Sequence, residues 1–116
     1  MPINSRAKGA SGERELAKKL TELGFPARRG QQFSGLEGKD ICTAVAGLHI
    51  ECKRVERLNL HKAVDQAIRD ADDSELPVVV HRANGKPWLF TARLDDLLAL
   101  LELLACWKTS NPTEKS

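Results

Sequence analysis

Asp40 stands ahead of the triplet Glu51-Cys52-Lys53, across two short strand-like runs. Side chains two apart on a β-strand point to the same face, so Glu51 and Lys53 project together while Ile50 and Cys52 point the other way. Two carboxylates and an ammonium gathered on a sheet edge can bind a divalent cation and orient a water for attack on a phosphodiester. Asp40 and Glu51 suit a hard ion such as Mg²⁺, which takes a few carboxylate oxygens together with water and phosphate oxygens. Lys53 would stabilise negative charge developing at phosphorus or lower the pKa of the attacking water.

Taken alone, an Asp…Glu-x-Lys pattern arises by chance in many charged chains, where a cross-strand salt bridge is its ordinary explanation. The context around it argues for more. Ser11 reads as an N-cap and Gly24 as the stop of a helix whose apolar positions are Leu16, Ala17, Leu20 and Leu23. Glu13 falls about 20° from the centre of that stripe, at 100° per residue. A carboxylate there is costly unless something satisfies it. Glu13 is either a wet first-turn residue favoured by the helix dipole or a group that overhangs the sheet edge and helps hold a metal or its water. Arg14 and Glu15 point away from the stripe.

Strands are expected over Asp40 to Val45 and Leu48 to Val55, joined at Ala46-Gly47. A second helix runs from about Leu60 to Ala71, with Leu60, Val64, Ala67, Ile68 and Ala71 on its apolar stripe. Leu76 to Arg82 is a buried-type strand, Asn84-Gly85 a hairpin turn and Trp88 to Thr91 the return strand. A last helix covers about Leu94 to Trp107. The order α-β-β-α-β-β-α gives an α/β (α+β) domain, a central mixed sheet flanked by helices. Residues 1–10 read as a flexible basic arm, 11–107 as the single domain and 108–116 as a disordered tail.

The 116 residues suffice for one core. With 41% hydrophobic and 29% charged residues the composition is that of a soluble globular protein. No apolar run reaches the length of a membrane span and no signal peptide opens the chain, so a cytoplasmic location is expected. Cys42, Cys52 and Cys106 show no paired spacing and read as small buried apolar residues. The net charge of +2 is unevenly spread. Residues 1–31 carry seven basic side chains (Arg6, Lys8, Arg14, Lys18, Lys19, Arg28, Arg29) against three acidic ones. Such a surface either faces phosphates or is a solvated helix face.

The motifs then come together. Lys8-Gly9-Ala10, Glu13-Arg14-Glu15-Leu16, Gly24-Phe25, Ser34 in a glycine-containing loop, Asp40-Ile41 and Ile50-Glu51-Cys52-Lys53 resemble, in order and spacing, the archaeal-type Holliday junction resolvases. Those belong to the PD-(D/E)xK superfamily of restriction-endonuclease-like fold, and the compact form is also similar to small nucleases of phages and prophages. The resemblance spans residues 8 to about 90. It implies Glu13, Asp40, Glu51 and Lys53 as the metal and catalytic set, with Arg14 and Ser34 near the scissile phosphate; separately, the basic N-terminal surface makes Lys8, Arg28 and Arg29 the expected contacts to the DNA backbone. The resemblance also implies Mg²⁺, with Mn²⁺ able to substitute, and a homodimer that cuts branched double-stranded DNA symmetrically. Lys39 stands before Asp40 where many members have proline, and the loop from Arg28 to Lys39 carries its own Gln-Gln-Phe. A nicking or flap nuclease on the same fold is the alternative enzyme. A non-catalytic DNA-binding or assembly subunit is the alternative from another class.

Gln66 lies where some relatives place a site glutamine, yet it sits off the expected apolar stripe and reads as solvated. His49 shares the face of Glu51 and Lys53, and reads as a strand-surface residue able at most to brush DNA or the metal site. His61 and His81 have no chelating spacing. Trp88 and Phe90 read as packing residues. The last helix carries Leu94, Leu97, Leu98, Leu100, Leu101, Leu103 and Leu104 over roughly 220° of its circumference, wider than one packing face requires. The excess, with Leu100 and Leu103 on its flank, is a candidate subunit interface, and the strand near Val79 is another.

Overall fold

The computed structural model describes residues 5–30 and 41–111. Its elements are α1 (Ser5–Glu22), β1 (Ala27–Arg29), β2 (Ile41–Thr43), β3 (Leu48–Arg54), α2 (Leu60–Asp70), β4 (Leu76–Arg82), β5 (Leu89–Ala92), and a 3₁₀ turn (Leu94–Asp96) leading into α3 (Leu97–Ser110). The strands form one sheet in the order β1-β2-β3-β4-β5. β3 and β4 run parallel, in register Glu51 with Val79 and Lys53 with His81, and every other pair is antiparallel. A parallel pair needs a crossover, which α2 supplies.

Helices cover both faces of the two central strands, which is why β4 reads as an almost unbroken apolar run. On one face Leu16 and Ala17 of α1 and Leu100 of α3 pack with Ile41, Ile50, Val78 and Val80. On the other, Ala63 and Ala67 of α2 pack on Val79, which is fully buried. Pro77 is tolerated because β5 pairs with β4 only from Val78 onward, so its missing N–H costs no ladder bond to that strand.

Two glycines shape α1. Gly24, at φ 104°, takes the left-handed conformation that ends the helix, and Phe25 N–H donates to the Leu20 carbonyl at 2.8 Å. Gly12 lets the helix approach β3: a Cβ there would lie 2.6 Å from Cβ of Arg54. Glu15 fastens the same contact by accepting from Arg54 Nε at 3.1 Å and pairing with Arg82 Nη1 at 3.1 Å. Glu15 thus does not point away, as its helical angle suggested, because two arginines at the strand ends reach it.

Several boundaries move. α1 begins at Ser5 and not at Ser11, so residues 5–10 are helical and not a flexible arm. Arg6, Ala7, Lys8 and Ala10 are good helix formers, and they outweigh the capping signal at Ser11. α3 continues to Ser110, three residues into the expected tail. β1 occupies sequence read as loop: Ala27-Arg28-Arg29 pairs with Ile41 to Thr43 as an edge strand. Its two arginines leave no apolar alternation to signal it. The cysteines are free thiols, but Cys106 is exposed and Cys42 and Cys52 are only half-buried. Trp88 packs against the core, whereas Phe90 is half-exposed.

Candidate active site

β3 presents His49, Glu51 and Lys53 on the face covered by α2. Glu51 is 3% exposed, and a carboxylate that deep requires cationic or hydrogen-bonding neighbours. It has two. Lys53 Nζ lies 3.6 Å from Glu51 Oε2, and His49 Nε2 lies 3.6 Å from Glu51 Oε1. Lys53 is held from the other side by Gln66, whose Oε1 accepts from Nζ at 2.9 Å. The pair from the Glu-x-Lys triplet therefore sits side by side, its ammonium fixed between a strand carboxylate and a helix amide.

Gln66 is thus not a solvated residue. The reason lies in α2, whose buried residues are Ala63 and Ala67. Their mean direction is rotated by about 60° from the centre of the expected stripe of Leu60, Val64, Ala67, Ile68 and Ala71, at 100° per residue, and Ile68 is 36% exposed. The small side chains bring α2 close to the sheet, and Gln66 and Asp70 flank that contact. Helical spacing alone favours the larger residues as the buried face, and so hid both.

His49 is not a strand-surface residue either: it is 1% exposed. β3 is covered on both faces, so the usual alternation between wet and dry positions fails at this point. His49 Nδ1 lies 3.7 Å from Glu75 Oε1. The adjacent Glu51 carboxylate holds the imidazole pKa above its ordinary value, with Glu75 and Asp70 adding to the effect and burial opposing it. His81, hydrogen-bonded to Thr91 Oγ1 at 2.9 Å, is shifted the other way by burial.

Glu13 lies in the third turn of α1, so a first-turn dipole role does not apply. Its side chain is 13% exposed, and Oε1 accepts from Arg29 Nε at 2.7 Å. That satisfies a carboxylate on a core-facing stripe and ties α1 to the edge strand. Arg14 and Arg28 are exposed, and Lys8 lies on α1. Ser34 and Asp40 fall outside the described residues. Ile41, which follows Asp40 in sequence, pairs with Ile50, which precedes Glu51. Asp70 and Glu75 were not among the sequence candidates. Asp70, four residues after Gln66, carried the one available signal, a shared helix face.

The fold is restriction-endonuclease-like: a mixed five-stranded sheet, helices on both faces, and a Glu-x-Lys strand at its centre. In particular, the structure is similar to that of Hjc, a Holliday junction resolvase from the archaeal hyperthermophile Archaeoglobus fulgidus, at TM-score 0.56 and 27% identity over 73% of this chain and 72% of that one. The resemblance read from the motifs therefore extends to the fold. No family model matches the chain, and no curated protein matches it. Among the described residues no helix is long and apolar enough to cross a membrane.

Proposed function

We propose that this protein is a metal-dependent endonuclease that cuts branched DNA, with Holliday junctions as its main substrate. The observation that carries this reading is the contact of Glu51 with Lys53 at 3.6 Å on the central strand of a resolvase-like fold. Glu51 together with Asp40 would hold Mg²⁺, or Mn²⁺ in its place. The buried Glu51 carboxylate fits a hard cation in its donor chemistry. Such an ion supplies Lewis acidity and a more acidic water.

The chain's own residues do the rest. Lys53, steadied by Gln66, faces the negative charge that develops on the phosphate. Glu13 and Arg29 form one unit that links the helix to the edge strand. Arg14, Arg28, Lys8 and Ser34 are the candidate contacts to the DNA backbone. The enzyme acts as a homodimer in the cytoplasm, since a junction offers paired strands of like polarity to two sites related by a two-fold axis.

The test is to incubate the protein with labelled four-way junction, flap and linear duplex, with and without Mg²⁺. Paired cuts in the junction that require the metal are the expected result. Preferential flap cleavage or single nicks would replace the substrate assignment. Binding with no cleavage under any divalent metal would leave a DNA-binding subunit.

A further inference from the structure

Around Glu51, β3 and α2 bring together a set of donor atoms that includes neither Asp40 nor Lys53. One ring nitrogen of His49, one carboxylate oxygen of Glu51 and one of Asp70 all lie within 4.8 Å of one another. His49 is 1% exposed, yet among the described residues neither of its ring nitrogens has a hydrogen-bond partner. A buried polar atom left unsatisfied costs about 1–3 kcal/mol, and both nitrogens are aimed at carboxylates. Nε2 stands 3.6 Å from Glu51 Oε1, and Nδ1 stands 3.7 Å from Glu75 Oε1. Charge-assisted hydrogen bonds close to about 2.7–2.9 Å. These gaps are wider, and the Glu51 gap is close to the separation of about 3.4 Å between two ligands of one tetrahedral ion with bonds near 2.1 Å.

We propose that His49, Glu51 and Asp70 form a binding site for a divalent transition-metal ion, with Glu75 orienting the imidazole. Glu75, 3.7 Å from Nδ1, would take the Nδ1–H once the ring settles on the ion and so leave the Nε2 lone pair free, the arrangement in which a carboxylate fixes the tautomer of a ligating histidine. One imidazole with carboxylates favours Mn²⁺, Co²⁺ or Zn²⁺ over Mg²⁺, which prefers oxygen donors throughout. Asp70 is exposed at the end of α2, so the ion has a path from solvent and room to keep water. The two oxygens of Glu51 separate this site from the nuclease centre. Oε1 faces His49, and Oε2 faces Lys53.

The site is read by binding to the intact protein, without DNA. Chelator-treated protein is titrated with Co²⁺ while the visible d–d bands are followed. Zn²⁺, Mn²⁺ and Mg²⁺ are then added in turn as competitors. The expected result is one Co²⁺ per chain, displaced by Zn²⁺ and not by an equal concentration of Mg²⁺. His49→Gln and Asp70→Asn should each weaken binding of the Mg²⁺-resistant Co²⁺ by tenfold or more, while Asp40→Asn, which alters the nuclease centre, still binds that ion. Asp70 is exposed, so Asp70→Asn keeps the fold and decides the matter should His49→Gln not fold. Wild-type affinity in Asp70→Asn, or no spectral change in the wild type, would overturn the site and leave His49 as a cation held between two carboxylates. Loss of the Mg²⁺-resistant Co²⁺ in Asp40→Asn would place the ion in the nuclease centre and overturn the site equally.

Discussion

Lys53 Nζ donates to Gln66 Oε1 across 2.9 Å, joining the central strand to α2 at the point where the ammonium lies 3.6 Å from Glu51. A lysine on a flexible four-carbon stem has many rotamers, and a bond to a helix amide selects one of them. Lys53→Ala should lower the single-turnover cleavage rate by about a hundredfold or more with junction affinity retained, because the charge matters as phosphorus gains negative charge. Gln66→Ala should cost about tenfold in the same rate through misplacement of the ammonium. Equal losses of affinity and rate in Lys53→Ala would reduce the lysine to a phosphate contact.

Asp40→Asn and Glu51→Gln should each abolish cutting while leaving junction binding in place, since each removes an oxygen ligand of the hard cation and not a DNA contact. Gel-shift and cleavage assays run on the same preparations separate the two effects. Cutting by Asp40→Asn at the wild-type rate would end the nuclease assignment.

Glu13 and Arg29 make a partly buried pair, with side chains 13% and 39% exposed. With the arginine this accessible to solvent, the coupling between them should be about 0.2–1 kcal/mol, measured by a double-mutant cycle of Glu13→Gln and Arg29→Gln in urea. If Glu13 also serves the reaction, Glu13→Gln should slow cutting at 25 °C, where the variant is fully folded. Unchanged cutting would confine Glu13 to fastening α1 to β1.

The charge on His49 gives stability a pH dependence in metal-free protein. Its folded pKa is raised above the ordinary 6.5, with Glu51 as the main cause. The folded state therefore binds more protons than the unfolded state in the window above that value. The contribution is full below about pH 6.5 and is lost as pH rises through the raised folded value. The stability difference between wild type and His49→Gln, measured in chelator, should shrink across that window. A difference that grows with pH would contradict the ion-pair geometry.

The parts of the fold governed by local rules were legible in the sequence. β4 was bounded by its apolar run, α1 ended at Gly24, and Asn84-Gly85 closed the last hairpin. Glu51 and Lys53 followed from strand alternation alone. What escaped depended on tertiary partners. β1 is a strand because β2 lies beside it, not because Ala27-Arg28-Arg29 prefers that state. His49 is buried because α2 covers a strand face that the sequence left open to solvent. Gln66 and Asp70 joined the site because two alanines, and not the larger apolar residues, define the buried side of α2.

The apolar surface of α3 is divided differently from its sequence reading. Leu100 is 7% exposed, and Leu103 and Leu104 pack against the same core. Val79 is fully buried in the sheet, which removes that strand as an interface. The outward residues are Leu94, Leu97, Leu98 and Leu101, exposed by 81%, 49%, 70% and 55%. Four leucines on one exposed turn-and-helix segment make a contiguous apolar patch of the kind that subunit contacts cover. Leu103 is partly buried against the core, so Leu103→Glu would disturb packing within the monomer and cannot isolate dimerisation. Leu98→Glu can: the side chain is mostly in water already, and the folded monomer should lose less than about 0.5 kcal/mol. The wild type should sediment as a dimer at micromolar concentration and cut junctions in pairs. Leu98→Glu should sediment as a folded monomer that makes single nicks and releases half-cut junctions. A monomeric wild type, with junction DNA or without it, would sink the paired-cut mechanism and favour a nicking enzyme on the same fold.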